Sequence, residues 1–125
     1  MWYKLFGGPN DDMAYGIGVD DDGNVFIVGS TGGDIDFGSG TIPSDGSSDI
    51  FSLKLDPEGN LLEAITWGGS YNDTGREVAI VNGSPIIAGT FVNSIEFGST
   101  EMESKGATDM VLFQVAGDGS GHDGK

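Results

Sequence analysis

A chain of 125 residues ordinarily forms one domain with a modest core, and this one sets 20 Asp and Glu against five Lys and Arg, a formal net charge of −15. That surplus repels phosphate backbones and anionic bilayers, so neither nucleic acid nor a membrane surface is an expected partner. The absence of cysteine excludes disulfides and thiolate metal sites, and no window approaches the roughly 18 apolar residues of a membrane span.

Such acidity fits a high-salt habitat, a calcium-rich exterior or plain solubility, and solubility is the reading taken. Twenty-three glycines and short apolar runs predict brief strands and tight turns, hence an all-β protein. Residues 2–6 read as a strand. Ile17 and Val19 alternate into a turn at Asp20-Asp21-Asp22-Gly23-Asn24, and Val25-Phe26-Ile27-Val28 reads as a fully buried strand ended by Gly29. A polar connection over residues 30–48 holds a small apolar island, Ile35 and Phe37. Phe51, Leu53 and Leu55 then alternate with Ser52 and Lys54 as a half-buried third strand. Asp56-Pro57-Glu58-Gly59-Asn60 is a turn in which Pro fixes the bend and Gly supplies positive φ, leading to a fourth strand over 61–67.

The chain then repeats itself. Phe6-Gly7-Gly8 returns as Trp67-Gly68-Gly69, Ile35-Asp36-Phe37-Gly38-Ser39 as Ile95-Glu96-Phe97-Gly98-Ser99, and Asp49-Ile50-Phe51 as Asp109-Met110-Val111, at an offset of 61 and then 60 residues. The residue lost lies in the hairpin turn, where Asp20 to Asn24 becomes Val81-Asn82-Gly83-Ser84, a place that tolerates deletion. Val78 and Ile80, Ile86-Ile87-Ala88-Gly89, the island Ile95 and Phe97, and Val111, Phe113 and Val115 keep the apolar pattern. The units are residues 1–62, opening with the outer strand of a preceding blade, and residues 63–120, with a flexible tail at 121–125. Repeats of this size cannot bury their apolar faces singly, and two fall short of the roughly three that stacked repeats need. The second unit lacks a fourth strand of its own, while residues 2–6 read as a fourth strand with no third strand before them.

The runs Leu5-Phe6-Gly7-Gly8, Tyr15-Gly16-Ile17-Gly18-Val19-Asp20, Gly23-Asn24-Val25-Phe26-Ile27-Val28-Gly29-Ser30-Thr31, Asp36-Phe37-Gly38 and Asp49-Ile50-Phe51-Ser52-Leu53-Lys54-Leu55-Asp56-Pro57-Glu58-Gly59-Asn60-Leu61-Leu62 resemble the SBBP-type bacterial β-propeller repeat. The resemblance spans residues 2–120, closely in the first unit. It implies a propeller of four-stranded antiparallel blades, two per chain, of the kind found in large exported or cell-surface bacterial proteins and without shared catalytic residues. An extracellular or cell-surface location is therefore expected.

Propellers use roughly four to eight blades, so two are expected to close a ring by oligomerisation, head to tail. A trimer is favoured, with dimer and tetramer as the other even closures. The seam is expected between Trp2, Tyr3, Leu5 and Phe6 of one subunit and Met110, Val111, Leu112 and Phe113 of the next. The rival reading is a purely structural repeat, or a piece of a longer surface protein.

Candidate chemistry is sparse. Asp20, Asp22 and Asn24 have the oxygen spacing of calcium loops, but Gly comes at the fourth position and no Glu closes the set, so an acidic hairpin turn is preferred and no metal is expected. Asn10, Asp11 and Asp12, with Asn72 and Asp73, form a polar loop able to present oxygens to a ligand or a cation, with capping and turn bonding preferred, and Asp49 and Asp109 read as acceptors of backbone N–H groups before each third strand. The only histidine, His122, lies in the tail, and the only arginine, Arg76, replaces Tyr15. No nucleophile–base set can be assembled, and neither catalysis nor a cofactor is expected. Trp2, Tyr3, Trp67 and Tyr71 are candidates for stacking on a sugar, although packing is preferred for the tryptophans. The expected function is a non-enzymatic binding or scaffold module, its ligand a glycan or a protein.

Overall fold

A computed structural model describes residues 5–6, 11–38, 41–42, 48–68, 72–97 and 100–115. It is all-β, with strands β1 (Asp12–Val19), β2 (Val25–Thr31), β3 (Ile35–Asp36), β4 (Thr41–Ile42), β5 (Asp49–Leu55), β6 (Leu61–Trp67), β7 (Asp73–Val81), β8 (Ser84–Phe97) and β9 (Thr100–Gln114). β1, β2, β5 and β6 form a four-stranded antiparallel sheet in that order, β3 and β4 pair with each other, and β7, β8 and β9 form a three-stranded antiparallel sheet. No helix among the described residues is long and apolar enough to cross a membrane.

The hairpins are set by their turn residues. In the β1–β2 turn Asp20 Oδ1 accepts the backbone N–H groups of Asp22 and Asn24, both at 2.9 Å, and Oδ2 accepts Asn24 Nδ2 at 3.0 Å. The β5–β6 turn repeats this on Asp56, with Glu58, Asn60 and Asn60 Nδ2 as donors at 2.9, 2.8 and 3.0 Å. Gly23 and Gly59 supply the positive φ that each turn needs. The β7–β8 hairpin, one residue shorter, turns on Asn82 (φ 51°) and Gly83 (φ 82°), the two consecutive left-handed residues of a type I′ turn.

The two sheets repeat one register. Ile27 pairs with Leu53 as Ile87 does with Phe113, and Ile35 with Ile42 as Ile95 does with Met102. Each inner strand carries a bulge at the same point, between Ala14 and Gly16 and between Gly75 and Glu77. One expectation is corrected. The island Ile95 and Phe97 is not separate, because β8 runs on through it and is paired with β9, kinked only at Asn93 (φ 72°) where the register shifts. A second correction concerns β5, which is buried on both faces rather than half-buried, with Ser52 only 6 % exposed. At β5 the four-stranded sheet is covered on one side by the three-stranded sheet and on the other by β3, β4 and Phe6, so that only Lys54 of this strand stays partly exposed. Conversely, Val25 and Ile27 of β2 are only partly buried.

Side chains between the sheets form the main core: Phe26, Val28, Ile50 and Trp67 from the first, and Val78, Ile87, Phe91, Ile95, Phe97, Val111 and Val115 from the second. A second cluster, Ile35, Phe37, Phe51 and Leu53, lies on the far side of the four-stranded sheet. The sheets come closest at their inner edges. A Cβ on Gly16 would lie 3.1 Å from the Arg76 carbonyl oxygen and the Glu77 Cα, and one on Gly18 would lie 3.3 Å from Ile80. Only glycine leaves room for that approach on β1.

Candidate functional site

Because Gly16 and Gly18 face β7, alternation turns Ile17 and Val19 to the opposite side of β1, where they are 68 % and 58 % exposed. Their repeat counterparts Val78 and Ile80 pack between the sheets. The free side of the four-stranded sheet thus offers solvent the same residue pattern that the three-stranded sheet uses to dock on it. A cleft of about 320 Å³ opens on this side, lined by Leu5, Phe6, Met13, Ala14 and Ile27 among others.

The three-stranded sheet has a matching free side. Val111 and Phe113 point inward, Phe113 meeting the Trp67 ring at 4.8 Å between centroids and Phe97 at 4.7 Å. Met110 and Leu112 therefore point outward, 87 % and 72 % exposed, at the positions of Ile50 and Ser52. Among the described residues no strand lies beyond β9, whereas its counterpart β5 is flanked by β6.

Of the expected seam residues, Leu5 and Phe6 lie at one free side and Met110 and Leu112 at the other. Trp2 and Tyr3 lie outside the described residues. Leu5 is almost wholly exposed, and Phe6 packs edge-on against Phe37 at 5.8 Å on the free side of the four-stranded sheet. Met110 and Leu112 face solvent, while Val111 and Phe113 belong to the internal core.

The polar candidates are engaged in the scaffold. Both Asp20 oxygens hold their own turn, and partial burial, which opposes ionisation, is outweighed by hydrogen bonds from Asn24 and Asp22 and by the Lys54 charge, so its carboxyl titrates below the ordinary 3.8. Asp12 accepts the Gly32 N–H at 3.1 Å and Asp109 that of Lys105 at 2.7 Å. Asp49 and Asp73 are buried, and Asp49 lies so close to Gly68 that a Cβ there would collide with its carboxylate. Asp11 and Asn72 are exposed. No group of three or more His, Cys, Asp or Glu that could hold a metal occurs among the described residues. Trp67 is buried between the sheets; Tyr71, Asn10 and His122 lie outside the described residues.

One contact was not foreseen. The Arg76 guanidinium stacks over the Tyr15 ring at 4.9 Å. These are repeat-equivalent positions, and equivalent positions of adjacent inner strands stand side by side, a signal present in the alignment of the two units.

The arrangement is that of two antiparallel sheets packed face to face over a shared core. Residues 2–36 match the family described as SBBP, the beta-propeller repeat. That SBBP match covers β1, β2 and β3 and with them the glycine-lined edge that the second sheet docks against. No curated protein matches the sequence.

Proposed function

We propose that this chain is a non-enzymatic scaffold module contributing two propeller blades, and that copies of it pack head to tail into a closed ring. The single observation that carries this reading is the complementarity of the two free sides. Ile17 and Val19 stand where Val78 and Ile80 stand in the internal contact, and Met110 where Ile50 stands. Apolar residues exposed on both sides of one molecule are the pattern of surfaces that meet a partner. Each copy would use one side of each sort, a heterologous contact that closes when the rotation per blade divides the circle. Three copies, giving six blades, is the expected closure. The loops and channel of such a ring would receive a glycan or a protein.

The test is Ile17→Glu and Leu112→Glu, made separately and compared with the unaltered chain by sedimentation velocity. Each is expected to give monomers, since every contact needs both sides. Assembly that survives both changes would overturn the reading.

A further inference from the structure

The internal contact also has a register, and the repeat carries it to a second copy. In β5 and β6, Ile50 stands opposite Trp67. Ile50 fills the hollow that glycines leave in the three-stranded sheet: its Cγ2 lies 3.0 Å from where a Cβ on Gly75 would stand, and its Cδ1 3.3 Å from one on Gly89. Trp67, at the end of β6, leans across onto Phe113 of that sheet.

Every member of this set has a counterpart. Ile50 corresponds to Met110, Gly75 to Ala14, Gly89 to Gly29, and Trp67 to Phe6. Among the described residues the exposed Met110 is a knob without a hollow in its own chain, and the cleft beside Ala14, Met13 and Phe6 is a hollow without a knob. Phe6 already rests against Phe37 on the free side of the four-stranded sheet, as Trp67 rests on the other sheet.

We propose that the segment carrying Leu5 and Phe6 of one copy adds to the open edge of β9 of a second copy, with Phe6 opposite Met110, so that Met110 enters the cleft at Ala14. The proposal rests on the head-to-tail reading and adds the strand pairing and its register. Methionine suits the site, because an unbranched thioether adapts to a hollow built for no single shape. Arg76 then lies between the Tyr15 of its own chain and that of the neighbour, since the internal stack joins the same two positions.

The chain has no cysteine, so disulfide trapping is free of background. Directly opposed strand residues come within bridging distance, whereas a partner two residues along, with Cβ atoms roughly 7–8 Å away, does not. The double variant Phe6→Cys with Met110→Cys is oxidised and run on a non-reducing gel beside Phe6→Cys with Leu112→Cys, and the mass of each is measured before oxidation. The expected result is covalent multimers from the first pair, in several-fold excess over the second. Preferential trapping of the second pair, or a bridge within one chain, in material that is oligomeric would overturn the register alone. Monomeric mass with no bridge between chains for either pair, shared by the unaltered chain, would instead overturn the head-to-tail reading beneath it.

Discussion

At the residue scale the molecule is held by short polar side chains that answer backbone groups. Asp56 accepts the Asn60 backbone N–H and side chain, with further bonds from Glu58 and Gly59, and these hold its carboxyl below the ordinary 3.8 despite the small opposing effect of burial. Asp20 is displaced in the same direction. A carboxyl whose folded value lies below its unfolded one adds stability that is complete above the unfolded value and is lost as pH falls through the folded one. Thermal unfolding followed from pH 6 down to pH 2 is therefore expected to show stability falling below about pH 4. In Asp20→Asn with Asp56→Asn that acid limb is flatter. An unchanged limb would remove these turns from the acid response.

At the element scale, two glycines separate conformation from space. Gly83 sits at φ 82° with nothing within 4 Å of where a Cβ would be, so Gly83→Ala is expected to cost only the backbone strain of a left-handed alanine, about 1 kcal/mol. Gly29 faces the β1 bulge, and a Cβ there would collide with the Met13 carbonyl, which cannot yield without displacing the strand. Gly29→Ala is expected to lower the denaturation midpoint by clearly more than Gly83→Ala, and the reverse order in urea melts would contradict the assigned geometry. The strands and turns were legible because period-two alternation and Asp-x-x-Gly-Asn turns act within a few residues. The continuity of β8 was not. Ile95 and Phe97 read as an island by analogy with Ile35 and Phe37, yet the ladder is interrupted only at Asn93 and residues 104–107 and resumes at Ser94 opposite Glu103. Burial of Ser52 was equally hidden, since it depends on a second sheet closing over β5. The repeat alignment revealed which positions share an environment, but the stacking of Arg76 on Tyr15 needed the two inner strands to be set side by side.

At the scale of the whole molecule, the question is what covers the free sides. Burying Ile17, Val19, Met110 and Leu112 yields roughly 1.5–3 kcal/mol each, against an association cost of about 4–15 kcal/mol. A single docking of faces is marginal by that comparison. Two additions change the balance: β9 gains a strand partner along the edge that no described strand occupies, and ring closure adds a contact with no further loss of freedom, three copies making three contacts for two associations. Copies that each carry a net charge of −15 also repel one another, so the contact has to be apolar and closely fitted to persist. The most direct measurement is the mass of the unaltered chain in solution, by light scattering across a dilution series. A closed ring gives one discrete multiple of the 12.9 kDa chain, three-fold by the favoured closure, that holds constant over the range. A mass of a single chain at every concentration would contradict the account.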